Sequence, residues 1–198
     1  MDAELKWRLG MKKAYLFFAE GFEEVEALTV VDILRRGKVN CITVSVSGDY
    51  DVTGSHGITI RADRLFDEKD LTDGEMLILP GGMPGTNNLK AHAGLDKLIR
   101  EYDKAGKYLA AVCAAPTVYG EKGLLEGKDA TCYPGLETGL NGANAKTDSV
   151  VCDGQYITSR GMGTCIDFGL KLLSILEGEE ISETIGKAVV YLGQELKK

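Results

Sequence analysis

The chain has 198 residues, 44% of them hydrophobic and 27% charged, with a formal net charge of −7, which is enough sequence for one domain with a sizeable core. Its acidic balance, with no long basic cluster, disfavours nucleic acid and anionic membrane surfaces as partners. No run approaches the ~18 consecutive apolar residues needed to cross a bilayer.

Residues 1–11 alternate charged and apolar side chains without the apolar stretch of a secretory signal, and they read as a loose extension of a single domain over residues 12–198. Lys13-Ala-Tyr-Leu-Phe-Phe-Ala19, followed by Gly21, predicts a buried strand. Glu23 to Arg36 predicts a helix, with acidic residues in its first turn, basic residues in its last and Gly37 as its stop. Its apolar positions Val25, Ala27, Leu28, Val30, Val31, Ile33 and Leu34 make a face too wide for one sheet-facing stripe, which predicts a second buried surface and a homodimer. Asn40 to Ser47 reads as the second strand, and Tyr50 to Ile60 as a hairpin around Gly54-Ser-His-Gly57. Glu75-Met-Leu-Ile-Leu-Pro80 is a further buried strand, ended by Gly81-Gly-Met-Pro-Gly85. Leu95, Leu98, Ile99 and Tyr102, at i, i+3, i+4 and i+7, mark an amphipathic helix that stops at Gly106.

Tyr108 to Val112 follows as a strand, with a helix from Ala114. Short strands are expected over Ala130–Cys132, Ser149–Cys152 and Tyr156–Ser159. Two closing helices carry Ile166, Leu170, Leu173 and Leu176, then Ile181, Ile185, Val189 and Leu192. Strands alternating with helices imply βαβ units, and so an α/β fold whose mostly parallel sheet is sandwiched between helices. Ligands of such sheets bind beyond the C-terminal strand ends.

Five cysteines, Cys41, Cys113, Cys132, Cys152 and Cys165, form an odd set without a CxxC pair. Free thiols in a reducing, cytoplasmic compartment are the simplest reading. With two histidines in the chain, no zinc-like grouping arises at standard spacing, so no metal is expected. No GxGxxG follows the first strand, so no nicotinamide or flavin cofactor is expected either.

Three loops share the reactive edge: 20–26, 81–85 and 113–116. Ala111-Val-Cys-Ala-Ala-Pro116 places a lone thiol at the switch from strand to helix, where small neighbours permit a sharp turn and Pro116 suits the first helical turn. A helix N-terminus there would favour thiolate over thiol, which makes Cys113 the candidate nucleophile. Gly81-Gly82 exposes backbone N–H groups; with the Ala114 N–H, one of them can form an oxyanion hole. Glu23 and Glu24 read as solvated charges complementing the helix dipole. Glu26, set among Val25, Ala27 and Leu28, is a buried carboxyl able to hold a proton near the sulfur. Arg160, in Ser159-Arg-Gly-Met-Gly-Thr164, can bind an anion, with His56 joining across the edge. His92 reads as a helix-surface residue.

Together, Ala19-Glu-Gly-Phe-Glu-Glu-Val-Glu26, Leu79-Pro-Gly-Gly82, Ala110-Ala-Val-Cys-Ala-Ala-Pro116 and Thr158-Ser-Arg-Gly-Met-Gly-Thr164 resemble the DJ-1 branch of the ThiJ/PfpI superfamily, over about residues 12–192. The resemblance implies a flavodoxin-like α/β/α sandwich, usually homodimeric. Cys113 would be its oxidation-prone nucleophile, Glu26 its carboxylic partner, Gly82 and Ala114 the oxyanion donors, and Arg160 part of an anion pocket. The activities implied are glutathione-independent glyoxalase, converting methylglyoxal to lactate, deglycation of early aldehyde adducts, and redox-sensing chaperoning. Tyr133, a candidate residue of the anion and substrate pocket with Arg160 and His56, stands where animal members carry a histidine, which leaves acid–base duty to Glu26, Tyr133 or water. His56 stands where they carry an arginine of the anion pocket. Ala114 replaces the histidine of the peptidase-like branch, which argues against peptidase activity. A glutamine amidotransferase would need a His-x-Glu after Cys113, but both histidines precede it.

Two functions are therefore expected in order: a cysteine enzyme acting on small aldehydes with no cofactor, then a redox-responsive protein.

Overall fold

In a computed structural model, which describes residues 12–66 and 71–191, the chain forms a seven-stranded sheet with helices on both faces. The expected extension at 1–11 and the position of Leu192 lie outside the described residues. In chain order the elements begin with β1 (Lys13–Phe18), α1 (Glu24–Arg36), β2 (Asn40–Ser45), β3 (Asp51–Thr53), β4 (Thr59–Arg61), β5 (Arg64–Leu65) and β6 (Met76–Leu79). There follow α2 (Gly85–Ala91), α3 (Ala93–Lys104), β7 (Tyr108–Val112), α4 (Pro116–Glu121), β8 (Asp129–Ala130) and β9 (Asn144–Ala145). The last are β10 (Val150–Asp153), β11 (Tyr156–Ser159), α5 (Cys165–Glu177) and α6 (Glu179–Ala188).

The sheet order is β10-β11-β7-β6-β1-β2-β5, parallel except where β10 runs against β11. Its central five strands, β2-β1-β6-β7-β11, read 2-1-3-4-5 in order of appearance, the flavodoxin-like winding. The direction of winding reverses between β1 and β6, and this is where a doubly wound sheet opens a crevice at its C-terminal edge. The loops after β1, β6 and β7 therefore meet at one place.

Alternation along β1 divides the core. Ala14, Leu16 and Phe18 pack with Val30, Ile33 and Leu34 of α1 and Phe168, Leu172 and Leu173 of α5, while Tyr15 and Phe17 face Leu95, Leu98, Ile99 and Tyr102 of α3. Close approach of α1 and α5 relies on Gly169, where an added Cβ would stand 2.8 Å from Cδ1 of Ile33.

That packing changes the reading of α1. Ala27, Val30, Val31, Ile33 and Leu34 are all buried by the chain itself, and only Val25 and Leu28 remain exposed. The wide apolar arc is mostly explained by a helix wedged between the sheet and α5.

The expected strand at Ala130–Cys132 shortens to Asp129–Ala130, which pairs with Asn144–Ala145 outside the main sheet. Cys132 is buried just beyond its end. His92 is also more than a surface residue: its Nδ1 accepts from the Leu95 N–H at 3.0 Å, capping α3, and its ring packs 4.6 Å from Phe66. Among the described residues, no helix is long and apolar enough to cross a membrane.

Candidate active site

Cys113 follows β7 directly. Its φ of 63° lies in the left-handed region, where an L-residue with a Cβ is strained by about 1–2 kcal/mol. Backbone bonds fix it there: its N–H donates to the Ser159 carbonyl at 3.0 Å, and its carbonyl accepts from the Tyr133 N–H at 2.8 Å. The turn thus hangs between β11 and the 133 loop, presenting a partly exposed sulfur at the sheet edge.

Glu26 comes from the first turn of α1 and is only 1% exposed. One carboxylate oxygen, Oε2, accepts from the Gly81 N–H at 2.9 Å, and the carboxyl group is hydrogen-bonded to the Cys113 thiol. Backbone N–H groups of Gly82 and Ala114 donate to the sulfur and favour its anion. Gly81 is the tightest point. An added Cβ would lie 2.6 Å from Cβ of Cys113, 2.7 Å from Oε2 of Glu26 and 3.0 Å from the sulfur. Gly82 has a φ of 88°, which favours glycine, and its added Cβ would strike the Glu23 nitrogen at 2.4 Å.

The expectation of a thiolate stabilised by a helix terminus needs correction. The helix after Cys113 begins only at Pro116 and is six residues long. Burial, then the charge of the Glu26 carboxylate and its hydrogen bond, push the thiol up to about 12 against the pull of the Ala114 and Gly82 N–H groups. Burial raises Glu26 to about 7, opposed by its bonds from Cys113 and the Gly81 N–H and aided by the charge of Glu23. The two groups therefore share one proton near neutrality, and the sulfur gains negative charge only as Glu26 takes that proton.

Tyr133 contributes its backbone to the Cys113 turn, and its ring borders the site. An added Cβ at Gly161 would sit 3.5 Å from the Tyr133 ring and 4.0 Å from Oε1 of Glu26. Arg160 is half-buried just after β11, and its Nη1 donates to the Lys146 carbonyl at 3.4 Å.

His56 does not join it. The His56 ring is instead held by Glu24 at 3.0 Å and Glu23 at 3.4 Å, and among the described residues no hydrogen bond or ion pair links it to Arg160. Two carboxylates around the imidazole are the opposite of an anion pocket. Glu24 departs from expectation as well. It is 2% exposed, and although burial opposes its ionisation, bonds from the His56 ring and from the His56 and Ile58 N–H groups hold it at about 2.

Sequence reasoning missed Cys165. It is buried at the start of α5, close enough to feel the charge of both Glu26 and Cys113, with its thiol donating to the Gly161 carbonyl at 3.3 Å. Its one signal was its place on the helix after the Arg160 turn. Cys41, Cys132 and Cys165 are buried, and Cys152 is exposed.

The model of the DJ-1/PfpI family matches residues 12–175. The chain is 40% identical over 173 residues to Protein DJ-1 homolog B of Arabidopsis thaliana, covering 85% of this chain and 39% of that protein. It covers 46% of Protein DJ-1 homolog A from the same plant, so it spans less than half the length of either relative. With Protein dj-1beta of Drosophila melanogaster it shares 33% identity, over 90% of this chain and 97% of the relative. A Caenorhabditis elegans relative named glutathione-independent glyoxalase is 32% identical, over 85% of this chain and 90% of that protein. Among solved structures, Drosophila DJ-1beta superposes with a TM-score of 0.86 at 33% identity, covering 91% of this chain and 98% of that one. A DJ-1 superfamily protein of Salmonella typhimurium gives a TM-score of 0.86 at 30% identity, covering 91% and 99%. By the matched model, the curated relatives and the shared architecture, the chain belongs to the DJ-1/PfpI family.

Proposed function

We propose that the protein is a cysteine-dependent enzyme acting on small dicarbonyls, converting methylglyoxal to lactate without glutathione. One observation carries this reading: a partly exposed thiol hydrogen-bonded to a buried carboxyl of raised pKa, with two backbone N–H groups aimed at the sulfur. As Glu26 accepts the thiol proton, the sulfur attacks the aldehyde carbon, and the carbonyl oxygen takes up a proton to complete a hemithioacetal. The Gly82 and Ala114 N–H groups hold the transient oxyanion. Glu26 then moves the C1 proton to C2 while the C1 hydroxyl proton passes to the ketone oxygen, so C1 is oxidised to a thioester and the neighbouring ketone is reduced to an alcohol. No external oxidant enters the balance. Water cleaves the thioester, releasing lactate and restoring the thiol. Early aldehyde adducts fall within the same chemistry through the free aldehyde they release. The glyoxalase named among the relatives supports this substrate class.

The purified chain should form lactate from methylglyoxal, and Cys113→Ala should reduce turnover to the uncatalysed rate. Equal turnover by the variant overturns the scheme.

A redox-responsive role is the second reading, favoured by the same two N–H groups, which would equally hold an oxygen of a sulfenate or sulfinate on Cys113. Under limiting peroxide, site-resolved mass spectrometry should find oxygen on Cys113 before Cys152, the other accessible thiol. Oxidation of Cys152 first removes this reading.

Homodimerisation now rests on a narrower surface, with Val25 48% and Leu28 37% exposed on α1. Light scattering at micromolar concentration is expected to give twice the chain mass for the wild type and a monomer for Val25→Glu; a monomeric wild type ends the proposal.

A further inference from the structure

At the start of α1, two carboxylates and one imidazole converge with no lysine or arginine among the described residues to neutralise them. Glu23, Glu24 and His56 each offer a ligand atom, and these atoms lie within 4.8 Å of one another. The Ser55 hydroxyl adds a fourth donor. Its Oγ lies 3.1 Å from Oε2 of Glu23, 3.5 Å from Oε2 of Glu24 and 3.2 Å from Nδ1 of His56. Nδ1 of His56 is in turn 3.0 Å from Oε2 of Glu24 and 3.4 Å from Oε2 of Glu23. A tetrahedron with metal–ligand bonds of about 2.1 Å has edges of about 3.4 Å. Five of the six edges among these four atoms already have nearly that length.

We propose that Glu23, Glu24 and His56, assisted by Ser55, form a binding site for a divalent transition-metal ion of the zinc type, clamping the start of α1 to the β3–β4 turn.

The outer shell is already in place. The second oxygen of Glu24, Oε1, accepts from the His56 N–H at 2.8 Å and the Ile58 N–H at 3.4 Å, which leaves Oε2 turned to the cluster. Gly54 makes room for that carboxyl, since an added Cβ there would stand 2.3 Å from Cδ of Glu24. The Glu24 side chain is 3% exposed and that of Glu23 13%, whereas His56 at 68% can rotate to admit an ion. A helix N-terminus disfavours a nearby cation by only a fraction of a kcal/mol to about 1 kcal/mol, against the attraction of two carboxylates. The imidazole nitrogen is what distinguishes the group from a solvated acidic patch and selects zinc-like ions over calcium or magnesium. Sequence spacing gave no metal grouping because the ligands sit about 30 residues apart, on a helix and a hairpin turn.

Titration of the metal-free chain with zinc chloride, read by calorimetry, is the test, run on wild type, Cys113→Ala/Cys152→Ala, His56→Ala and Glu24→Gln. The double variant, whose remaining thiols Cys41, Cys132 and Cys165 are all buried, should keep one site per chain, and zinc should raise its melting temperature. His56→Ala, altered at an exposed position, should stay folded and bind at least about 10-fold more weakly. Cobalt(II) bound to the double variant should show tetrahedral ligand-field bands without thiolate charge transfer. Unchanged binding in His56→Ala, or loss of all binding in the double variant, overturns the proposal.

Discussion

Replacing Glu26 by glutamine is expected to lower dicarbonyl turnover by about 10²–10⁴-fold while making the folded chain more stable above neutrality. The two effects share one cause. Glu26 is buried, and its pKa rises from 4.5 to about 7. A carboxyl whose folded pKa exceeds its unfolded value holds its proton more firmly in the folded state. Its stabilising contribution is complete below about 4.5 and is lost as pH rises towards 7, by roughly 3 kcal/mol for a shift of this size. Glutamine stays neutral throughout and can still accept from the Gly81 N–H, so Glu26→Gln should escape that loss. Urea unfolding at pH 5 and pH 8 checks this. The wild type should weaken relative to the variant at the higher pH, and parallel pH profiles would contradict a buried, protonatable Glu26.

The kinetic half follows from the shared proton. Below about 7 the pair holds two protons, on carboxyl and thiol, and neither a base nor a sulfur anion is available. Above that value one proton remains, and its transfer to Glu26 activates the sulfur. Wild-type kcat/KM should therefore rise with pH through an apparent pKa near 7, and Glu26→Gln should lack that limb. The variant also loses the carboxylate charge that pushes Cys113 up. Its thiol should become alkylatable at lower pH even as turnover falls, a separation that a merely misfolded variant would not produce.

The fold was legible because it is written in periodicity. Short apolar runs gave β1 and β6, each followed by a glycine turn, and β7, followed by Cys113, and Leu95, Leu98, Ile99 and Tyr102 proved to be the buried face of α3. The reactive edge followed from the rule that doubly wound sheets use their C-terminal strand ends, which brought Cys113, Glu26 and the Gly81-Gly82 turn together. Charge was where local reading failed. Helix-dipole logic assigned Glu23 and Glu24 to solvent, because nothing near them in sequence announces that the 54–58 turn folds over their carboxylates. His56 followed the same error in reverse, assigned to an anion pocket but held by acids. Dipole reasoning at Cys113 counted the helix and omitted both desolvation and the carboxylate across the turn. Each failure concerns a partner distant in sequence, which pattern cannot supply. The apolar width of α1 has a related explanation: α5 covers most of that face, which leaves Val25 and Leu28 as the exposed remainder.

Adding one methyl group at Gly81 should silence the site. In Gly81→Ala the new Cβ falls between the two reacting groups, 2.6 Å from Cβ of Cys113 and 2.7 Å from Oε2 of Glu26, separations that real Cβ atoms do not tolerate. Neither neighbour is a loose side-chain end. Cys113 is pinned by the Ser159 carbonyl and the Tyr133 N–H, and Glu26 lies at the base of α1. The clash must therefore part the carboxyl from the thiol or tilt the turn, and a displacement of about 1 Å costs about 10²-fold in rate. Overpacking of this kind costs about 1–3 kcal/mol in stability. Cys113→Gly provides the control, because it removes the Cβ and sulfur that meet the new methyl and relieves the left-handed strain at 113. The stability penalty of Gly81→Ala should be markedly smaller in the Cys113→Gly background than in wild type, with a coupling of about 1 kcal/mol in a double-mutant cycle. Additive penalties would mean that residue 81 presses on something other than the cysteine turn, and that the glycine does not set the spacing between carboxyl and sulfur.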